Sequence, residues 1–516
     1  MNNLTKRLRL LVWCLFWLIF LGAPAQGREA ALRLLYVNDF HGFAEPYQPL
    51  GSTEPLGGAA YLAGAVDRLR AERPTLLLAA GDMIQGNNWA NLFQGKSSIE
   101  LMNAMGFDAM VVGNHEFDFG QQVLLKRIKE AGFPVLGANV KGLLLLKPYV
   151  IKTICGIRVA IIGVVTADTP TSTSPRNVAG LKFSSPEVAV ARCLKELPGK
   201  VDLVVVLSHL GYPADRVLAQ KVPGIDVIIG GHTHTKLETP AVVNHTIIGQ
   251  AWEHAKALGV LDLELQDGKI VKYAGHLDEI KPAADHADKQ VQQLVGQYSR
   301  QVDARLDQVV GETEVDLDGE QVRTRETNLG DLVTDIMRAA AGADAALING
   351  GTIRTSLHRG KVRAKDVYAA LPFDNYLVAI RLTGRQLRQA LEHGVSAPEE
   401  KAGRFPQVSG LSFTYSRSAP VGSRVREVTV MGQPLDPGKE YLVATNDFLA
   451  AGGDGYLAFG EALKSGGGFR EQGGALTSKN LAYCNPGTWL RDLVIDYIKT
   501  KKTVSPQIEG RIKALD

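Results

Sequence analysis

The sequence predicts an α/β protein: a layered α/β domain, a joining helix, and a second domain that mixes strands with helices. Three observations predict it. From residue 30 to about 275, short apolar runs alternate with stretches of helical spacing, the pattern of strands layered with helices. From about Asp285 to Leu306 the chain is polar and free of Pro, and it carries Val291, Leu294, Tyr298, Val302 and Leu306 at helical intervals. Beyond Val309, an apolar strand at Tyr441–Thr445 follows and precedes helical stretches at 329–341, 384–393 and 489–501. At 516 residues the chain is too long for one ordinary domain. The expected limits are 1–27 for a signal peptide, 28–280 for the first domain, 281–308 for the linker helix and 309–516 for the second domain.

Taken in order, the N-terminus has the anatomy of an export signal. Lys6, Arg7 and Arg9 form a basic start, Leu10–Leu21 is apolar, and Ala23-Pro24-Ala25-Gln26-Gly27 offers small residues for cleavage. The apolar run is short for a membrane span, so no stable span is expected after cleavage, and the product is expected to be periplasmic or secreted. Five apolar runs follow, each ending in a polar cluster. Leu34–Val37 leads into Asn38-Asp39-Phe40-His41, Leu76–Leu78 into Gly81-Asp82, and Met110–Val112 into Gly113-Asn114-His115-Glu116 and Asp118. Val204–Leu207 leads into Ser208-His209, and Val227–Ile229 into Gly230-Gly231-His232-Thr233-His234. Runs of this length and composition read as buried parallel strands. Tyr61–Glu72, Gly120–Ala131 and Pro186–Leu197 read as the helices between them.

Functional groups in α/β sheets gather beyond the carboxyl ends of strands. Every cluster lies at that end. Carboxylate, imidazole and amide oxygen are hard or borderline donors, suited to Zn, Mn, Fe or Mg rather than to a thiolate-bound metal. One carboxylate bridging two cations holds them about 3.5–4 Å apart, the arrangement for in-line displacement at phosphorus. Asp82 is the expected bridge. Any one cluster alone is a turn or cap; their number and order make the metal reading.

Three stretches stand out in the second domain: Asn349-Gly350-Gly351-Thr352-Ile353-Arg354, Leu371-Pro372-Phe373-Asp374-Asn375, and Phe448 through Gly452-Gly453-Asp454-Gly455-Tyr456. Gly permits close backbone approach to a ligand, and Arg offers a planar fork for phosphate. Alone, these read equally as turns and core.

The ordered blocks Asp-x-His, Gly-Asp, Gly-Asn-His-Glu, a later His and Gly-His-x-His resemble those of the calcineurin-like metallophosphoesterases. The form Gly113-Asn114-His115-Glu116-Phe117-Asp118 is similar to one branch, the 5′-nucleotidase family, which includes UDP-sugar hydrolases and ecto-5′-nucleotidases. The resemblance covers nearly all of the mature chain. It implies an N-terminal metallophosphoesterase α/β sandwich and a C-terminal α+β 5′-nucleotidase domain that binds the substrate. It implies two divalent metal ions (Zn, Mn, Co or Mg). Asp39, His41, Asp82 and His234 would hold one, and Asp82, Asn114, His209 and His232 the other. Some members carry Gln or Asn where this chain has His234. His115 and Asp118 would be the catalytic pair, and a metal-bridging hydroxide the nucleophile. Phe373 and Phe448 would sandwich the nucleobase, with Arg323, Asn349, Arg354 and Asp454 completing the pocket.

The implied function is an exported nucleotide phosphohydrolase acting on nucleoside 5′-monophosphates, and on UDP-sugars in some branches. A 2′,3′-cyclic nucleotide 2′-phosphodiesterase with 3′-nucleotidase activity is the alternative. A non-catalytic metal- or nucleotide-binding protein is the alternative of another class. The formal charge is +3, and the three basic residues of the N-terminal segment supply all of it: 54 basic residues then face 54 acidic ones. That balance gives no footprint for a nucleic-acid polymer. Cys155, Cys193 and Cys484 are few, odd in number and widely spaced, so they are expected as buried free thiols rather than a disulfide framework.

Overall fold

Leu32, Leu34 and Tyr36 face one side of the first strand and Leu35 and Val37 the other, and each set enters a different core. That alternation fixes the layering of the first domain. The computed structural model of the chain describes residues 29–50, 52–283, 286–472 and 475–516; the signal peptide expected over 1–27 lies outside them.

In chain order the principal strands are β1 (Glu29–Val37), β2 (Thr75–Ala79), β3 (Ala109–Val111), β4 (Val135–Leu136), β5 (Tyr149–Ile154), β6 (Ile157–Val165), β7 (Leu203–His209), β8 (Val227–Gly230), β9 (Ala241–Val243), β10 (Thr246–Gln250), β11 (Ala257–Gln266) and β12 (Lys269–Glu279). They form two six-stranded sheets, ordered β12-β11-β1-β2-β3-β4 and β9-β10-β8-β7-β6-β5. β1 to β4 run parallel in the first sheet, and β6, β7, β8 and β10 run parallel in the second. Antiparallel hairpins close the other edges, β11–β12 in the first sheet and β9–β10 and β5–β6 in the second.

The sheets stack on a shared apolar layer that includes Leu34, Tyr36, Leu78 and Val111 from one and Val159, Val205, Leu207 and Ile229 from the other. Gly249 and Gly259 lie against the Tyr36 ring, where any Cβ would clash with it. Helices α1 (Ala59–Arg70), α2 (Lys96–Met105) and α3 (Gln121–Glu130) cover the outer face of the first sheet. Helices α4 (Pro186–Glu196) and α5 (Tyr212–Lys221) cover that of the second. The result is a helix–sheet–sheet–helix sandwich. Both sheets are buried on two faces, which is why their central strands read as continuous apolar runs.

Helix α6 (Lys289–Leu306) begins where the Asp288 side chain accepts the Val291 amide at 2.7 Å, a few residues later than its periodicity suggests. It is docked rather than free. Val291 and Tyr298 enter the first-domain core, and Tyr298 donates to Glu100 at 2.7 Å.

The second domain is built on a mixed five-stranded sheet of β13 (Ala345–Asn349), β14 (Tyr376–Thr383), β15 (Pro406–Ser409), β16 (Glu440–Asn446) and β17 (Leu481–Trp489), ordered β15-β13-β16-β14-β17. Helices α7 (Asn328–Ala341) and α10 (Leu490–Lys501) pack on one face. Helices α8 (Gly384–Gly394) and α9 (Leu457–Ser465) pack on the other. β13 and β16 are parallel neighbours. Their carboxyl ends lead to Asn349 and to the Phe448–Asp454 turn.

The cysteines are free, but they are not uniformly buried as expected. Cys193 is buried in α4, whereas Cys155 is exposed. It sits with Gly156 in the tight β5–β6 turn, both at positive φ. No helix among the described residues is long and apolar enough to cross a membrane.

Candidate active site

The carboxyl ends of parallel strands from both sheets meet at one edge of the sandwich. β1, β2 and β3 of the first sheet deliver Asp39 and His41, Asp82, and Asn114 and His115. β7 and β8 of the second deliver His209, and His232 and His234. Glycines make the meeting possible. A Cβ on Gly81 would come within 2.5 Å of His209 Nδ1, one on Gly113 within 2.2 Å of Asp82 Oδ1, and one on Gly231 within 2.5 Å of the Ala80 carbonyl. The backbone is strained there too: Asp39, His41, Asp82, His232 and His234 all have φ between 50° and 77°. Such conformations persist in non-glycine residues only where the surroundings impose them, and they cluster at functional sites.

Beside a group of His234, Glu253 and His254, two groups of potential ligand atoms meet at this edge, each lying within 4.8 Å of one another: Asp39, His41 and His234, and Asp82, His209 and His232. Each of these two draws on both sheets. Asp82 stands between them, with Oδ2 3.1 Å from His209 Nε2 and 3.8 Å from His41 Nε2. Outer partners aim the imidazoles inward. His41 Nδ1 pairs with the Gln85 carbonyl at 2.8 Å, His209 Nδ1 with the Ala80 carbonyl at 2.7 Å, and His234 Nδ1 with Glu253. In each case Nε2 is left facing the centre. Asn114 donates its amide to the Ser172 carbonyl at 3.2 Å, which turns its Oδ1 the same way.

The donor set fits divalent cations. Asn114 Oδ1 is buried with no hydrogen-bond partner, a costly state for a polar atom unless an ion completes it, while Asp39 Oδ1 and His209 Nε2 face only other members of the clusters, His234 at 3.2 Å and Asp82 at 3.1 Å. Burial works against charge on Asp82, but His209, His115 and His41 outweigh it and hold its pKa well below the ordinary carboxylate value. Burial, with repulsion from His209, lowers His232 to about 3 and keeps it neutral, the form that coordinates metal.

His115 and Asp118 stand beside the clusters. Residues His115–Phe117 form a short 3-10 turn, and the His115 amide donates to Asp82 Oδ1 at 2.9 Å. His115 Nδ1 is 2.7 Å from Asp118 Oδ2. Burial opposes charge on His115, but Asp118 and then Asp82 outweigh it, so its pKa is raised. Asp118 Oδ1 accepts from the Thr173 hydroxyl at 2.6 Å.

The second domain closes over this centre. A cavity of about 1240 Å³ is lined by Asp82, Asn114, His115, Asp118, His232 and His234 from the first domain. The same cavity is lined by Arg323, Asn349, Arg354, Phe373, Phe448 and Asp454 from the second. Asp39, His41 and His209 lie buried beneath its floor. Arg354 Nη2 reaches His41 Nε2 at 2.9 Å across the domain boundary. The Phe373 ring lies 5.6 Å from that of His115, centroid to centroid. Asn349 Nδ2 donates to Asp454 Oδ2 at 2.5 Å. The structure thus brings the expected metal, catalytic and substrate residues of both domains to one cavity or directly beneath it.

Sequence reasoning missed the groups that hold these in place. Glu116 lies within a quoted motif, yet it had no role. Its buried carboxylate accepts the amides of Asp82, Met83, Ile84 and Gly113 at 2.9, 2.7, 3.3 and 2.5 Å and so shapes the loop that carries Asp82. Asn38 donates to Asp39 Oδ2 at 2.7 Å and accepts the Ala251 amide at 2.7 Å. Glu253 follows β10, a strand whose polar terminus carried no recognisable block.

Comparison with known proteins agrees with this geometry. Residues 32–236 match the calcineurin-like phosphoesterase family, and residues 309–461 match the 5′-nucleotidase C-terminal domain. The chain is 31% identical to a 5′-nucleotidase of Diplobatis ommata, over 96% of this chain and 92% of that protein. It is 33% identical, over 93% of its length, to the trifunctional nucleotide phosphoesterase protein YfkN of Bacillus subtilis, and it spans only 35% of that longer chain. The solved 5′-nucleotidase precursor from Thermus thermophilus superposes with a TM-score of 0.84 at 36% identity, covering 94% of this chain and 100% of that one.

Proposed function

Because this chain belongs to the 5′-nucleotidase family and is thus a metal-dependent phosphoric monoester hydrolase, we propose that it releases phosphate from nucleoside 5′-monophosphates in the cleft between its domains. One observation carries this reading: a single cavity is lined on one side by the Asp/His clusters and on the other by Asn349, Phe373, Phe448 and Asp454. A phosphate placed at the clusters would have its nucleoside in the part of the cleft that Phe373 and Phe448 line.

In this reading Asp39, His41, Asp82 and His234 hold one divalent ion, and Asp82, Asn114, His209 and His232 the other, with Zn, Mn, Co and Mg all compatible with the donors. When bound, such ions neutralise phosphoryl charge and ease deprotonation of water near neutral pH. The chain's own residues do the rest. His115, its pKa raised and its ring oriented by Asp118, stabilises charge on the phosphoryl group or protonates the leaving alkoxide. Arg354 meets the phosphate from the second domain. Phe373 and Phe448 stack on the base, and Asp454, held by Asn349, takes the nucleoside's donors. Stacking tolerates any base, so broad nucleotide specificity follows. The cleft, about 1240 Å³, has room for UDP-sugars as additional substrates. The basic, apolar and small-residue order of residues 6–27 supports export.

The test is phosphate release from 5′-AMP, 3′-AMP, 2′,3′-cyclic AMP and UDP-glucose, with and without a strong chelator. We expect 5′-AMP to be preferred, the chelator to abolish turnover, and Mn, Co or Zn to restore it. Preference for the cyclic diester would establish the 2′-phosphodiesterase alternative, and full activity without metal would end the two-ion reading.

A further inference from the structure

Asp118 is expected to orient His115, but a carboxylate orients an imidazole only if it is itself held. Its second oxygen and its backbone carbonyl have partners, and both come from one segment, residues 169–178. Thr173 donates its hydroxyl to Asp118 Oδ1 at 2.6 Å, and Asn177 Nδ2 donates to the Asp118 carbonyl at 2.7 Å. The same segment supplies the Ser172 carbonyl that turns the Asn114 amide.

The segment is a strap with two anchors. Thr169 is buried, with its amide and hydroxyl both donating to the Thr166 carbonyl. Val178 is buried in the core under the first sheet. Between the anchors, the Thr169–Ser172 turn packs against Gly453–Gly455, the turn that carries Asp454. Thr173 is 2% exposed, so water does not compete for its hydroxyl. A threonine that merely stabilised the strap would bond to nearby backbone, as Thr169 does. Thr173 gives its proton instead to a carboxylate 55 residues away in sequence.

We propose that Thr173 is a positioning residue for the reaction: its hydroxyl pins one oxygen of Asp118 and so sets the angle at which the other holds His115. The inference rests on His115 acting at the phosphoryl group. A hydrogen bond to a charged acceptor is among the stronger kinds, and its loss leaves the carboxylate free to rotate about its Cβ–Cγ bond.

The test is a double-mutant cycle on the full-length, metal-loaded protein, with bound metal and melting temperature recorded for every variant. Thr173→Val is expected to lower kcat for 5′-AMP about 10- to 100-fold, with KM and metal content unchanged. Thr173→Ser, which keeps the hydroxyl, is expected to restore most of the loss. In a His115→Ala background, Thr173→Val is expected to cost nothing further, because the group it acts through is gone. Thr173→Ala serves as the hydroxyl-free variant if the valine lowers the melting temperature. The inference is overturned if Thr173→Val keeps full kcat, if the serine is as poor as the valine, or if the loss is the same in both backgrounds. If His115→Ala is itself fully active, the reading of His115 fails first, and that single variant reveals it.

Discussion

Around the candidate metal clusters, burial and neighbouring charges compete over the charge state of each side chain, and where burial wins, at Asp215, the group is far from its ordinary value. Asp215, at the start of α5, is fully buried, and its Oδ2 has no partner. Ser208, which precedes His209, donates to Oδ1. Burial pushes the Asp215 pKa from 3.8 up to about 8, against the opposing pull of Ser208 and His209. The folded protein therefore keeps a proton that the unfolded chain releases. Stability from this source is fully present below about pH 4 and is lost as pH rises toward about 8. Asp215→Asn removes the penalty while preserving shape. Its melting temperature should thus gain on the native protein's as pH is raised from 5 to 8. An advantage that does not grow with pH would mean that the carboxyl is ionised in the fold. Nothing in the sequence pointed to Asp215. The candidate metal ligands were legible because each lies within a few residues of an apolar run that a periodicity argument can find. Asp215, Thr173 and Glu253 matter through partners that local sequence does not reveal, and their own surroundings read as ordinary turn or helix.

Among the elements, the turn after β16 is the one on which the proposed function places specificity. It carries Phe448 and Asp454. Asp454 adopts a left-handed backbone at φ 51° that is held from outside: Asn349 bonds its side chain, and His393 bonds its carbonyl at 2.7 Å. Phe448 packs so closely on Gly453 that a Cβ there would lie 2.4 Å from the ring. Gly453 has no positive φ, so alanine is tolerated by the backbone and displaces only the ring. Phe448→Ala and Gly453→Ala should then share one phenotype: KM for AMP, GMP and UMP rises together, while p-nitrophenyl phosphate is nearly unaffected. Stacking is worth about 1–3 kcal/mol per base, so a KM change of roughly five- to a hundredfold is the expected scale. A lowered melting temperature with an unchanged ratio of nucleotide to non-nucleotide turnover would make Phe448 a core residue only. The expected helices and strands form close to where their periodicity placed them, because caps such as Asp288 and Thr327 fix their ends. The allocation of strands to two sheets was not legible from periodicity. A parallel strand buried on both faces reads the same in either sheet.

At the scale of the whole molecule, neither domain holds a complete site. The first brings Asp and His clusters from two sheets to one edge, and the second brings a basic and aromatic wall. Contacts at several points hold them together: Asn88 and Asn91 donate to the carbonyls of Lys365 and Pro372 at 2.7 and 3.1 Å, and Tyr47 donates to Glu320 at 2.8 Å. These are polar, the kind of interface that permits relative domain motion. Arg354 reaches deep from the second domain, to His41 Nε2 at 2.9 Å, with its guanidinium carbon 6.0 Å from the Phe373 ring centroid. Under the proposed function that position is the phosphate end of the cleft, and Phe448 stands at the base end. The two residues should therefore fail differently although they share a domain. Arg354→Ala should lower kcat/KM for 5′-AMP and p-nitrophenyl phosphate alike, by about 10²–10³-fold, the usual cost of removing one preorganised donor to developing charge. Arg354→Lys should recover only part, since a point charge replaces a planar fork. Metal content should stay unchanged in both variants, because the ligands lie in the first domain. If Arg354→Ala instead spares p-nitrophenyl phosphate and harms only nucleotides, the arginine serves the nucleoside, and the phosphate must be held from the first domain alone.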